Sequence, residues 1–134
     1  MHETTLFRDR PLPVQLVLGG VIPGIAGGIA GLLVGVSVAG YWAFGALAAI
    51  GAVLAGFEHQ DGWGGADRGL VGGFIYGIAL LIVHAIAGTT AKVSLGSAPI
   101  LLPVVTAIIG MLLGALGGRI ARGQRERRGA SAPT

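Results

Sequence analysis

The sequence has no cysteine and no asparagine. Without cysteine there is no disulfide framework, no thiol nucleophile and no thiolate metal site. Without asparagine, one common polar group for an intramembrane site is missing. Charge is scarce as well. Only 11% of residues are charged, against about a quarter in an ordinary soluble domain. No Walker lysine follows a glycine loop, and no dinucleotide fingerprint follows a strand. Ser37, Ser94 and Ser97 have no histidine at a recognisable spacing, so no catalytic set is expected. Nothing calls for a cofactor or a metal, and the reading is not that of an enzyme. Glu58, His59, Asp61 and Asp67 lie close together, but in a glycine-rich loop and without a recognised ligand pattern.

What the chain does have is apolar surface and glycine. Hydrophobic residues make up 53% and there are 26 glycines among 134 residues. The mean hydropathy is +0.80. The densest stretch is Gly20 to Gly35, uncharged, with Pro23 inside it. In water it would make a poor helix, because Gly and Pro are the two least favourable interior residues. In a bilayer the backbone must satisfy its own hydrogen bonds, so a helix forms and the glycines become packing surfaces.

Four apolar segments are long enough to span, since about 20 residues cross a core of about 30 Å. Residues 1–13 are a polar lead. The spans are placed at 14–36, 41–57, 69–87 and 100–120, and 121–134 is a basic, disordered tail. Ser37-Val38-Ala39 has the look of a signal-peptide cleavage site, but the apolar run before it is too long for a signal core. Tyr41 and Trp42 fit an interfacial belt, Trp63 a headgroup anchor, and Glu58 to Arg68 a loop. With both termini in the cytoplasm, the inside holds all eight arginines and the outside only Lys92. The bias sets that orientation, in the cell membrane of a bacterium or archaeon. Arg119, Arg122, Arg125, Arg127 and Arg128 are assigned to anionic lipid rather than to nucleic acid.

The glycine-rich span recurs. At an offset of 49, Gly20, Gly24, Gly28, Ile29, Ala30, Leu32 and Val34 fall on Gly69, Gly73, Gly77, Ile78, Ala79, Leu81 and Val83. At an offset of 59, Ala48, Ile50, Gly51 and Leu54 fall on Ala107, Ile109, Gly110 and Leu113. Low complexity alone also yields such matches. If the repeat is a duplication, it makes two helical hairpins in tandem with the same orientation. Small residues four apart share a helix face and let backbones approach. Such ladders are Gly20/Gly24/Gly28 and Gly27/Gly31/Gly35 in the first span, and Ala48/Ala52/Gly56 in the second. The third has Gly69/Gly73/Gly77 and the fourth Gly110/Gly114/Gly118. The second face on the first span implies a homo-oligomer or another membrane protein as partner, besides the lipid bilayer, or else tight packing within one bundle.

Polar groups inside the spans are few. Pro23 removes a backbone donor, and its repeat partner is Gly72; paired interruptions of this kind point to a transport path. Gly24, Tyr76, His84 and Thr106 complete the candidate set, with Pro103 and Thr106 forming a second kink. The expected protein is an all-α integral membrane protein of four transmembrane helices in two tandem hairpins, packed through glycine ladders. Its expected function is a homo-oligomeric channel or transporter for a small solute or ion. The alternative is a non-catalytic accessory subunit of a larger membrane complex.

Overall fold

The computed structural model describes residues 5–131, and over them the chain is helical without strands. Four helices are long and apolar enough to cross a membrane. They are α1 (Leu12–Val36), α2 (Val38–Gly56), α3 (Gly62–Ala87) and α4 (Leu102–Ala130). A 3-10 turn at Pro99–Leu101 leads into α4, and another at Phe7–Asp9 precedes α1.

Local chemistry sets the boundaries, and three differ from the sequence reading. One extended residue, Ser37, separates α1 from α2. Its hydroxyl accepts the Gly40 N–H at 3.0 Å, so α2 begins at Val38 and not at Tyr41. The segment from Gly62 to Arg68, read as loop, is the first part of α3. Asp61 is its N-cap, accepting the Gly64 N–H at 2.9 Å. α3 ends at Gly88, whose φ of 63° is the left-handed cap that glycine takes without strain. The tail is not disordered through residue 130: α4 continues to Ala130, carried by good helix formers and the exposed Arg122–Glu126 pair four residues apart. Residues 132–134 of that tail lie outside the described residues. Pro103 makes no kink either. It sits in the first turn of α4, where its missing N–H would have no helical partner anyway.

Around the bundle the order is α1, α3, α4, α2. α3 packs most extensively on α4, then on α1, while α2 rests chiefly on α4. Although one residue joins them, α1 and α2 touch little. Between α3 and α4 the backbones meet. A Cβ on Gly69 would strike the Gly110 carbonyl, and one on Gly110 the Gly69 carbonyl. Gly65 stands likewise against Gly114, and Gly73 against Thr106. α1 approaches α3 through Gly27 and Gly31, which face the carbonyls of Tyr76 and Leu80. α2 is fixed to α4 near its end, where Gly56 faces the Gly114 carbonyl. Ala30, Val34 and Leu80 form a fully buried core, with Tyr41, Phe44, Tyr76, Leu81, Leu95 and Leu102 packed around it.

The ladders do not run their full expected length as helix-to-helix contacts. Gly118, expected as the last rung on α4, is buried at the very start of α3, against the Asp61 carbonyl and the Gly62 Cα. Asp61 caps α3 from outside, so at this level α4 has reached the end of its partner. Gly117, one residue earlier and absent from the expected ladder, takes the α2 contact by facing the Val53 carbonyl. Gly35 on α1 faces no helix: it meets the Thr89 side chain in the loop beyond α3. A ladder read from spacing alone does not show where the neighbouring helix stops.

Each end of the bundle is tied. At one end the Phe7 N–H donates to the Glu58 carbonyl at 3.0 Å, and Arg10 pairs with the Glu58 carboxylate at 2.7 Å. Arg125 reaches back to the same loop, donating to the His59 and Phe57 carbonyls, both at 2.9 Å. At the other end Lys92 closes α1: its N–H donates to the Val34 carbonyl at 2.8 Å and its Nζ to the Val36 carbonyl at 2.9 Å. The lead and the end of α4 therefore lie together, opposite the Gly88 to Ala98 loop.

Candidate functional site

The poor contact between α1 and α2 leaves a cavity of about 690 Å³ lined by all four helices. That is the size of a small-molecule pocket, typically about 300 to 1,000 Å³. α2 supplies a wall of small residues, among them Gly45, Ala48, Ala49, Gly51, Ala52 and Ala55. α1 contributes Leu18, Ile22, Pro23 and Ala26. The polar groups come from α3 and α4 and from the top of α2: Arg68, Tyr76, Thr106 and Tyr41.

The backbone of α1 is interrupted where it meets this cavity. Val17–Val21 is a π-helical turn, in which the Ile22 N–H donates five residues back to the Val17 carbonyl. In an α-helix that N–H would serve the Leu18 carbonyl. The π-type donor for Leu18 would be residue 23, and that residue is a proline without an N–H. The Leu18 carbonyl is thus stripped of both helical partners. An unserved carbonyl in an apolar setting costs roughly 1–3 kcal/mol. Arg68 serves it: the guanidinium Nη2 donates to the Leu18 carbonyl.

Arg68 reaches that carbonyl because Gly72 is small. Gly72 lies one turn along α3 on the same face, and a Cβ there would come within 3.0 Å of Arg68 Nη1 and 3.6 Å of the Pro23 ring. Pro23 creates the vacancy and Gly72 makes room for the group that fills it. On its other side the guanidinium lies 5.4 Å from the centre of the Phe7 ring, a cation–π distance. Phe7 also stacks on His59 with centroids 5.5 Å apart. Burial pushes the His59 imidazole below the usual histidine range, only partly opposed by its hydrogen bond to the Ala55 carbonyl at 3.3 Å.

Of the sequence candidates, Pro23, Gly72, Tyr76 and Thr106 come together in the cavity wall. Gly24 does not; its open side faces the Ile75 side chain. His84 does not either. It lines a shallow surface depression at the opposite end with Lys92 and Ser94, and its Nδ1 has no partner among the described residues. α3 runs unbroken through Gly72 and Gly73, so the interruption is in α1 alone. The Thr106 hydroxyl donates within its own first turns, 2.9 Å from the Leu102 carbonyl and 3.2 Å from that of Pro103. The arginines near the end of α4 differ in role: Arg125 is spent on loop carbonyls, and Arg122 on Glu126.

Arg68 is the residue the sequence reading missed as a site group. Its glycine-rich surroundings read as loop. The available signal was Asp61, which as a cap starts α3 early enough to put Arg68 and Gly72 one turn apart on a single face. No known protein family, curated protein or solved structure matches the chain.

Proposed function

We propose that the protein is a small membrane transporter that binds its solute in the cavity between α1 and α2. The observation that carries this reading is the cavity itself, which gathers Pro23, Gly72, Tyr76 and Arg68 in one wall. A π-turn that strips a carbonyl of its helical partners beside a cavity is a milder form of the irregular backbone that lines binding sites in discontinuous transporter helices. The two offsets then acquire a mechanical sense. We read the chain as two tandem hairpins held by glycine ladders, the second closed and the first open. Release of the solute corresponds to closure of the first hairpin, with Gly20 of α1 approaching Gly51 of α2 as Gly69 approaches Gly110. Both termini are cytoplasmic in this reading. The exposed apolar face of α1, with Ile25, Ile29 and Leu32, joins copies of the chain into a homo-oligomer.

One observation favours the alternative of an accessory subunit. Within its span α2 buries no residue except Gly56, so a partner's helix has room to lie along it. A thiol-labelling experiment separates the two, and the chain offers a background free of cysteine. Ala48 lines the cavity, whereas its repeat counterpart Ala107 is 7% exposed between helices. Thiolate is the reactive form, so maleimide labelling reports water. The transporter reading expects Ala48→Cys to label in native membranes and Ala107→Cys to resist. Protection of both sinks it. Protection of Ala48→Cys in membranes, with labelling after purification, favours the accessory subunit.

A further inference from the structure

We propose that the solute is an amphiphilic anion, one acidic headgroup on an apolar body, and that Arg68 is its headgroup receptor. This rests on the transporter reading and names the substrate class for the same cavity.

The charge argument comes first. Arg68 is half-buried in a wall otherwise dominated by Gly, Ala, Leu and Ile. Among the described residues the ion pairs are Arg10–Glu58 and Arg122–Glu126, and neither involves Arg68. Glu58 is near enough to be felt by Arg68, but its carboxylate is held by Arg10 at 2.7 Å. The guanidinium carries five N–H donors, and one carbonyl and one aromatic face do not use them up. Arg68 stands in the first two turns of α3, near the end of the span, and an arginine that lines a cavity there rather than reaching for headgroups marks a substrate pathway. A planar guanidinium matches a carboxylate or a phosphate bidentately.

The shape argument selects an amphiphile over a small inorganic anion. A small anion would need polar partners all round, and beyond Tyr41 and Trp42 in its first turns the α2 wall offers only Gly and Ala. That wall suits an apolar body. The least packed boundary of the bundle is the seam between α1 and α2, which in a bilayer faces acyl chains. An amphiphile already in the membrane enters there tail-inward and presents its headgroup to Arg68. The Leu18 carbonyl then holds the guanidinium in place before the anion arrives.

The test uses the full chain in lipid nanodiscs and 11-(dansylamino)undecanoic acid as probe, with its methyl ester as the uncharged match. Wild type is expected to bind the acid saturably and at least tenfold more tightly than the ester. Arg68→Gln, which can still donate to the Leu18 carbonyl, is expected to lower the acid's affinity at least tenfold and leave the ester unchanged. Arg68→Lys is expected to recover part of the loss. Equal binding of acid and ester, or an Arg68→Gln variant that binds the acid normally, overturns the proposal while leaving a binding cavity and the transporter reading intact. Full displacement of the probe by millimolar inorganic phosphate also overturns it, because the apolar wall would then add nothing. Binding of neither probe, with Ala48→Cys protected from maleimide, removes the transporter reading as well.

Discussion

Gly69 on α3 and Gly110 on α4 stand backbone to backbone, each in the way of a Cβ on the other. Their counterparts, Gly20 on α1 and Gly51 on α2, have nothing within 4 Å of where a Cβ would be. The same residue type at matched positions thus makes the tightest contact in one pair of helices and borders open space in the other. Glycine permits close approach without enforcing it. α3 and α4 meet because both helices present small residues in register, Gly65 with Gly114 and Gly69 with Gly110. α1 docks on α3 through its second ladder, Gly27 and Gly31, with Gly24 and Gly28 facing the Ile75 and Val83 side chains of α3, which leaves Gly20 bordering open space.

The largest expected effect breaks the closed pair. Gly69→Val puts a branched side chain into the Gly110 backbone, where nothing flexible can yield. Overpacking at a backbone contact is expected to cost about 3 kcal/mol or more. Gly20→Val meets open space and is expected to stay within about 0.5 kcal/mol. Thermal unfolding of the two purified variants, side by side in the same detergent, reads the difference. Similar losses in both would mean that the first pair is closed in solution.

A smaller effect sharpens the comparison at the foot of α2. Arg125 holds the Phe57 and His59 carbonyls at 2.9 Å each, and these follow directly on α2. Arg125→Ala is expected to cost about 2 kcal/mol, as charged hydrogen bonds are worth about 1.5–3 kcal/mol. The loss should be local. Amide exchange is expected to quicken at the end of α2 and the start of α3, and not where Thr106 faces Gly73. Uniform quickening would show that the two pairs unfold as one.

The four spans were legible in the sequence because apolar length is a direct consequence of bilayer thickness. Pro23 was legible as an interruption of α1, but Gly72, expected to interrupt α3, leaves that helix unbroken and makes room for Arg68. Arg68 was not, because its meaning depends on an orphaned carbonyl 50 residues away on another helix. The order of helices around the bundle was hidden for a similar reason. α1 carries two glycine faces, and nothing local says which one α3 takes. The helical tail was missed because its arginines read as a solvated charge run, whereas Arg125 has carbonyl partners that only the fold supplies.

Gly72 tests the open pair more finely. A Cβ there meets Arg68 Nη1 at 3.0 Å, the far end of a flexible side chain. Gly72→Ala is therefore expected to move the guanidinium rather than the helix, with a stability change within about 0.5 kcal/mol. Gly69→Ala, three residues earlier, meets backbone and is expected to cost several times more. The check is again the pair of melting curves, with probe-acid affinity as a second readout. Gly72→Ala should weaken the acid and spare the ester. A large loss of stability in Gly72→Ala would mean that Arg68 is wedged and not free to turn toward a ligand.

The smallest effect is a dependence on pH beside Arg68, where Phe7 covers the guanidinium and stacks on His59. His59 is 9% exposed, stacked on Phe7, with Arg68 and Arg8 near enough to disfavour its charged form and Glu58 to favour it. Burial dominates, so the folded chain holds this proton less tightly than the unfolded chain does. As pH falls, the unfolded state takes up the proton first. The stability contributed by neutral His59 is therefore complete above the ordinary histidine value of about 6.5 and is lost as pH falls through the lowered folded value. One proton limits the slope to about 1.4 kcal/mol per pH unit. Melting curves between pH 7.5 and pH 5 are expected to show a decline that His59→Phe, which keeps the stack on Phe7, flattens. Because Phe7 also covers Arg68, protonation should loosen the lead and the open pair before it reaches α3 and α4. An equal decline in His59→Phe would place the titrating group elsewhere and separate the lead from the behaviour of the cavity.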